Sequence, residues 1–198
     1  MLASISKNKL LSIIQRFAAV EAVGPSAVRG QPKSTIDIVR GYLGRIDLRR
    51  IPKSQLSFRR WLNLHTARIE RSLPKDNRKA RRRWGVARKT LNLFLRTCFY
   101  NHYLRGAYGF ARIGRCLEVP IDSVVARKLR EDPGPSCVPS WKGLGGLDKS
   151  KNEEFQQCAR EYAQDCNLPL TVFLDNYLWL LGRGEGKNRR VRRRARAV

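Results

Sequence analysis

The segment from Arg83 to Tyr100, R-W-G-V-A-R-K-T-L-N-L-F-L-R-T-C-F-Y, constrains the fold more than any other. It opens on a glycine corner at Gly85. Beyond it the apolar residues recur with the period of a helix rather than the alternation of a strand, which predicts a long central helix from about Val86 to Leu104. The pattern repeats elsewhere. Leu10, Leu11, Ile13, Ile14, Phe17 and Ala18 mark one stripe of a first helix over 4–20, which reads as an ordinary core-packing helix rather than a transit peptide. Val172, Phe173, Leu174, Tyr177, Leu178, Trp179, Leu180 and Leu181 mark a last helix over 170–181, central to the core. No stretch competes as a strand and none repeats internally, so the expected fold class is all-α, a bundle of about eight helices.

Boundary signals place the intervening elements. Ser34 is a good N-cap for a helix ending near Leu43, and Pro52-Lys53-Ser54 starts another that Pro74 ends. Residues 76–83, nearly all polar or basic, predict a short helix leading into the Gly85 corner. Gly106, Gly109 and Gly114 break up the chain beyond the central helix. Asp122 caps the next helix, a Pro/Gly-rich loop runs from Asp132 to Gly146, and a helix over 149–166 comes after it. One helical domain over 1–184 and a disordered basic tail over 185–198 are expected.

The charge excludes many partners. The chain carries 41 Lys and Arg against 16 Asp and Glu, a formal net charge of +25. Residues 49–115 hold 19 of those cations and two acids, Glu70 and Asp76, while 117–185 is far closer to balance. A basic face on a folded body suits a polyanion, most simply nucleic acid, with an anionic membrane surface second. No apolar run approaches membrane-spanning length. The five cysteines show no C-x-x-C spacing, so they read as reduced thiols with no metal or iron–sulfur cluster, and no cofactor is expected.

A glycine corner between two helices frees backbone N–H groups at the second helix's start, and these bind a phosphate without reading sequence. Gly85 with Arg81, Arg82, Arg83 and Arg88 suits that contact, and Trp84 is placed to join it. The bland alternative is a plain helix–helix turn with a solvated basic face.

Gly85-Val86-Ala87-Arg88-Lys89-Thr90, continuing into Leu91-Asn92, resembles the G-V-G-R-K-T-A-N hairpin of the helix-hairpin-helix DNA glycosylases, such as endonuclease III. Pro120-Ile121-Asp122-Ser123-Val124 is similar to that family's V-D-T-H-V segment, and Leu174–Arg183 to its D-x-x-x-W-L-x-x-x-G-R helix. The three segments fall in family order. Ala87 stands where the hairpin has a second glycine. The interval from Lys89 to Asp122 is closer to that of the archaeal 8-oxoguanine glycosylases.

The resemblance implies a DNA glycosylase with possible AP lyase activity and an active site in a cleft. Lys89 would be the nucleophile at the sugar C1′, made less cationic by the helix N-terminus and nearby arginines. Asp122 would activate it or stabilise the oxocarbenium-like sugar. Arg81, Arg82, Arg83, Trp84, Gly85, Ala87, Arg88 and Thr90 would hold the DNA backbone, and Trp61, Tyr100 and Trp141 are the candidates for the base pocket. The partner would be duplex DNA with a flipped base, bound by a monomer in the cytoplasm beside the nucleoid. The substrate would be a damaged base such as 8-oxoguanine, in repair, or a modified base of phage DNA such as glucosylated hydroxymethylcytosine, in defence. The competing expectations are a non-enzymatic helix-hairpin-helix binder of DNA or RNA, and a ribosome-associated basic protein.

Overall fold

A computed structural model describes residues 5–74, 83–131 and 138–180. Within them the chain is helical, with no strand. In order come α1 (Lys7–Ala22), α2 (Ser34–Leu43), α3 (Gln55–Ser72), α4 (Trp84–Tyr100), α5 (His102–Tyr108), α6 (Phe110–Ile113), α7 (Ser123–Glu131), α8 (Lys149–Asp165) and α9 (174–180), with short 3-10 turns between some of them. No helix among the described residues is long and apolar enough to cross a membrane.

Local chemistry explains most of the boundaries. The Ser54, Asp122 and Asp148 side chains each accept a backbone N–H at a helix start: Ser57, Val124 with Val125, and Lys151 respectively. Ser34 is itself the first helical residue rather than the cap, because Lys33 already has helical dihedrals. The central helix ends at Tyr100 and not near Leu104. Asn101 turns extended there, and its side chain accepts the Leu104 N–H to start α5.

The core lies in two clusters. The larger joins α1 to α6 around Phe58, Leu62, Leu91, Phe94 and Phe99. The smaller joins the 119–121 segment, α7, α8 and α9 around Ile121, Leu129, Phe155 and Leu178. Helix α4 packs against α1 and α3 on one side and against the 144–146 turn on the other. Gly85 makes that second contact possible. A Cβ at this position would stand 2.3 Å from the Leu144 carbonyl oxygen and 2.9 Å from the Leu147 Cβ.

The first helix departs from expectation. Leu10, Ile13, Phe17 and Val20 are exposed, and the buried stripe is Gln15, Ala18, Ala19 and Ala22. The Gln15 amide donates to the carbonyls of Leu43 (3.0 Å) and Ile46 (2.8 Å), satisfying carbonyls left over at the end of α2. Of the expected stripe, Ala18 is buried and Leu11 and Ile14 pack partly buried against the core, while Leu10, Ile13 and Phe17 are exposed.

Candidate active site

Lys89 lies in the second turn of α4, two residues deeper than the sequence suggests, because the helix starts at Trp84. Asp122 stands at the N-cap of α7. The two meet, with the Lys89 Nζ 3.6 Å from Asp122 Oδ2. Asp122 divides its oxygens: Oδ1 accepts the N–H groups of Val124 (2.8 Å) and Val125 (3.1 Å), and Oδ2 faces the lysine. Capping therefore fixes the carboxylate's orientation without consuming the oxygen that faces the amine. The Lys89 side chain is only 8% exposed, and Asp122 is 29% exposed.

Burial is what chiefly lowers the Lys89 pKa below the ordinary 10.5; Asp122 opposes the shift and Arg29 adds to it. Taking an ammonium out of water disfavours its charged form. The helix terminus is a weaker influence at this depth, since the dipole effect fades within the first turn.

Both groups line a cleft of about 990 Å³. Its walls come from the loop after α1 (Gly24, Arg29, Gly30), from α4 (Lys89, Leu93, Arg96), from the loop around Trp141 to Gly146, and from α9 (Asp175, Asn176, Trp179). Lys89, Leu93 and Arg96 sit four and three residues apart, so one face of α4 supplies the floor. Arg96 is ion-paired with Asp175, and that pair ties α4 to α9 inside the cleft. Burial lowers the Arg96 pKa first, with Tyr100 and Asp122 acting the other way.

The structure redistributes the remaining candidates. Arg81 and Arg82 lie outside the described residues, as does the tail over 185–198. Gly85, Ala87, Arg88 and Thr90 are buried and do not form an accessible phosphate cradle. Gly85 is occupied by the Leu144 carbonyl, and the Thr90 hydroxyl donates to the Val86 and Ala87 carbonyls. Arg88, 2% exposed, donates to Thr66 Oγ1 (2.9 Å) and to Asn63, stands 3.3 Å from Glu118, and lies over the Trp84 ring at 4.9 Å. It braces α3 against α4. Arg83 donates to the Leu73 carbonyl, joining the end of α3 to the start of α4.

Of the three base-pocket candidates, Trp141 lines the cleft, held edge-on by Phe155 at 5.9 Å. Trp61 does not; it lies in α3 and lines a different pocket. Tyr100 is also outside the lining, stacked on Phe173 at 5.9 Å and accepting a hydrogen bond from Asn176. The sequence did not single out Arg29, Arg96 or Asn176. Asp175 and Trp179 stood in the segment resembling the family's D-x-x-x-W-L helix, and Trp179, favoured there as a core residue, is 45% exposed and lines the cleft. Arg96 carried a usable signal, since it falls two turns from Lys89 on the same helix face. Arg29 carried none.

Among the described residues no cluster of three or more His, Cys, Asp or Glu could hold a metal ion. Comparisons with protein-family models, with curated proteins and with solved structures find no match to this chain.

Proposed function

We propose that this chain is a DNA glycosylase with associated AP lyase activity, using Lys89 as nucleophile and Asp122 as its acid–base partner. The observation that carries the reading is the Lys89–Asp122 pair itself: a buried amine with a lowered pKa, 3.6 Å from an oriented carboxylate oxygen, at the wall of a cleft. Neither a cap nor a phosphate-binding lysine calls for that combination. Its occurrence in segments resembling the glycosylase hairpin and its aspartate segment supports the same role.

The chemistry is that of an amine attacking a sugar. A base extruded from duplex DNA enters the cleft, with Trp141 and Trp179 as aromatic neighbours. Neutral Lys89 attacks the sugar C1′ and the base departs, with the proton shed by the attacking nitrogen moving to Asp122. Opening of the sugar leaves a Schiff base between Lys89 and C1′. Loss of a C2′ proton then expels the 3′ phosphate by β-elimination, and water releases the lysine. The volume of the cleft is at the upper end for small-molecule sites, which suits a base carrying a bulky substituent as well as an oxidised purine.

Borohydride reduction tests this directly. The protein is incubated with DNAs carrying oxidised guanine or glucosylated hydroxymethylcytosine. A covalent protein–DNA adduct is expected with wild type and none with Lys89→Gln, a loss on the order of 10⁴-fold in turnover. Free base and intact abasic sites without an adduct would leave a monofunctional glycosylase working through Asp122. Binding without either product would mean a non-enzymatic nucleic-acid-binding protein.

A further inference from the structure

A second pocket, of about 450 Å³, lies between α2 and α3 and shares no lining residue with the Lys89 cleft. Its aromatic side is preassembled. Tyr42 of α2 reaches across to His65 of α3, with the hydroxyl 2.7 Å from Nδ1 and the rings edge to face at 5.9 Å. Trp61, one turn before His65, lies between the imidazole at 4.2 Å and the Phe58 ring at 6.0 Å. Trp61 and His65, each 9% exposed, therefore offer the pocket only part of their surface, and the half-buried Tyr42 ring offers more. Three aromatic rings from two helices thus support one another. The exposed Leu64 extends the apolar surface beside them.

The rim is cationic. Arg45, Arg50 and Arg68 line the pocket and are exposed, against one acid, Asp47. Asp47 is already engaged by Arg49 at 2.8 Å and by Arg50 at 3.5 Å. The imidazole is neutral at neutral pH, because burial first and Arg68 second push its pKa down to about 4. It therefore adds a flat, uncharged ring rather than another cation. An apolar aromatic side beside a cluster of guanidinium groups complements a ligand with one flat ring system and one anionic group.

We propose that this pocket binds a nucleotide, its base against the Tyr42, His65 and Trp61 rings and its phosphate on Arg45, Arg50 and Arg68. Planar guanidinium groups suit phosphate oxygens, and aromatic rings accept any base face. The volume falls within the range of small-ligand sites. A simple anion would leave the ring cluster without a counterpart, whereas the chain's surplus of 25 positive charges makes nucleic acid the natural source of the ligand. The nucleotide belongs either to an unpaired strand or to the free pool.

The chain's two histidines, His65 and His102, make the test local. Imidazole NMR signals of the full chain are tracked during titration with AMP, adenosine and inorganic phosphate at fixed salt. AMP should shift the His65 signals and leave His102 still, with adenosine and phosphate each binding about tenfold more weakly or worse. The double substitution Arg45→Glu/Arg50→Glu changes exposed rim side chains, leaves Arg68 on its Tyr42 hydrogen bond, and should weaken AMP about tenfold or more. The Lys89→Gln variant should bind AMP as wild type does, so a failed glycosylase reading leaves this result intact. Displacement of AMP by an unphosphorylated oligothymidylate assigns the pocket to a strand nucleotide; no displacement assigns it to the free nucleotide. An unmoved His65, phosphate binding as tightly as AMP, or an indifferent double variant would overturn the proposal.

Discussion

Arg88 and Lys89 are neighbours in one helix, both basic and both nearly inaccessible, yet they face opposite demands. Arg88 turns toward α3 and the 117–119 segment, where Thr66, Asn63, Glu118 and the Trp84 ring all engage it. Lys89 turns toward the cleft, where among the described residues its ion-pair partner is Asp122 at 3.6 Å. Four partners fix a charge in place and make it a brace. One partner beside open space leaves an amine able to lose its proton and meet a substrate. Burial alone does not separate the two side chains: Arg88 has four partners, although its buried Nε–H makes no hydrogen bond, whereas Lys89 pairs with Asp122 at the edge of open space.

The comparison can be broken by substitution. The largest effect after loss of Lys89 itself is expected for Asp122→Asn, at roughly 10²- to 10⁴-fold in turnover. Asparagine caps a helix about as well as aspartate, so any fall in the thermal midpoint reports the lost pairing with Lys89 rather than the cap. Asp122→Ala should cost the same turnover and about 1 kcal/mol of stability besides, and a melt run beside the activity assay separates the two roles. Arg88→Ala should invert that pattern. Breaking a buried pair costs about 3–5 kcal/mol, visible in chemical denaturation, while the borohydride adduct still forms in the folded fraction. An Arg88→Ala protein that melts like wild type would remove the distinction between the neighbours.

Gly85→Ala should be milder, about 1–3 kcal/mol, as the 144–147 turn shifts to admit the methyl group. The smallest effect is a displaced pH profile. The reactive amine must be neutral, so the rate should rise with pH through the Lys89 pKa, and burial moves that limb below the ordinary 10.5. The sign for stability is the same. With the folded pKa beneath the unfolded one, the penalty for the buried ammonium fades as pH rises between them. A rising limb at 10.5 or above would show the amine to be solvated.

Residues whose role is set by near neighbours were legible in the sequence. The cap at Asp122 arises from a short oxygen-bearing side chain meeting the first free N–H groups and keeps that position in the structure, whereas Ser34, read as a cap on the same ground, is the first helical residue instead. The all-helical class was readable from apolar spacing. Spacing placed Leu11, Ile14 and Ala18 on the core side of α1 but also Leu10, Ile13 and Phe17, and it left out Gln15, which answers two carbonyls in a different element through bonds no local pattern reveals. Gly85 shows the same limit. Its sequence context suggests a corner open to phosphate, but a loop about sixty residues later fills the space. The cleft is likewise assembled from five separated segments, so Arg29 and Asn176 became visible only in three dimensions.

Gln156 of α8 grips the backbone of Val119 at both ends, accepting its N–H at 2.9 Å and donating to its carbonyl at 2.8 Å. One side-chain amide thereby stands in for the neighbouring strand that residues 117–122 do not have. Lys89 belongs to the helix that anchors the larger hydrophobic cluster, and Asp122 arrives on a segment moored to the smaller one. The Lys89–Asp122 pair straddles the seam between the two clusters, so its geometry depends on how they pack against each other. The distance between the amine and the carboxylate is therefore a gauge of that packing, and loosening the Gln156 grip on Val119 should lengthen it.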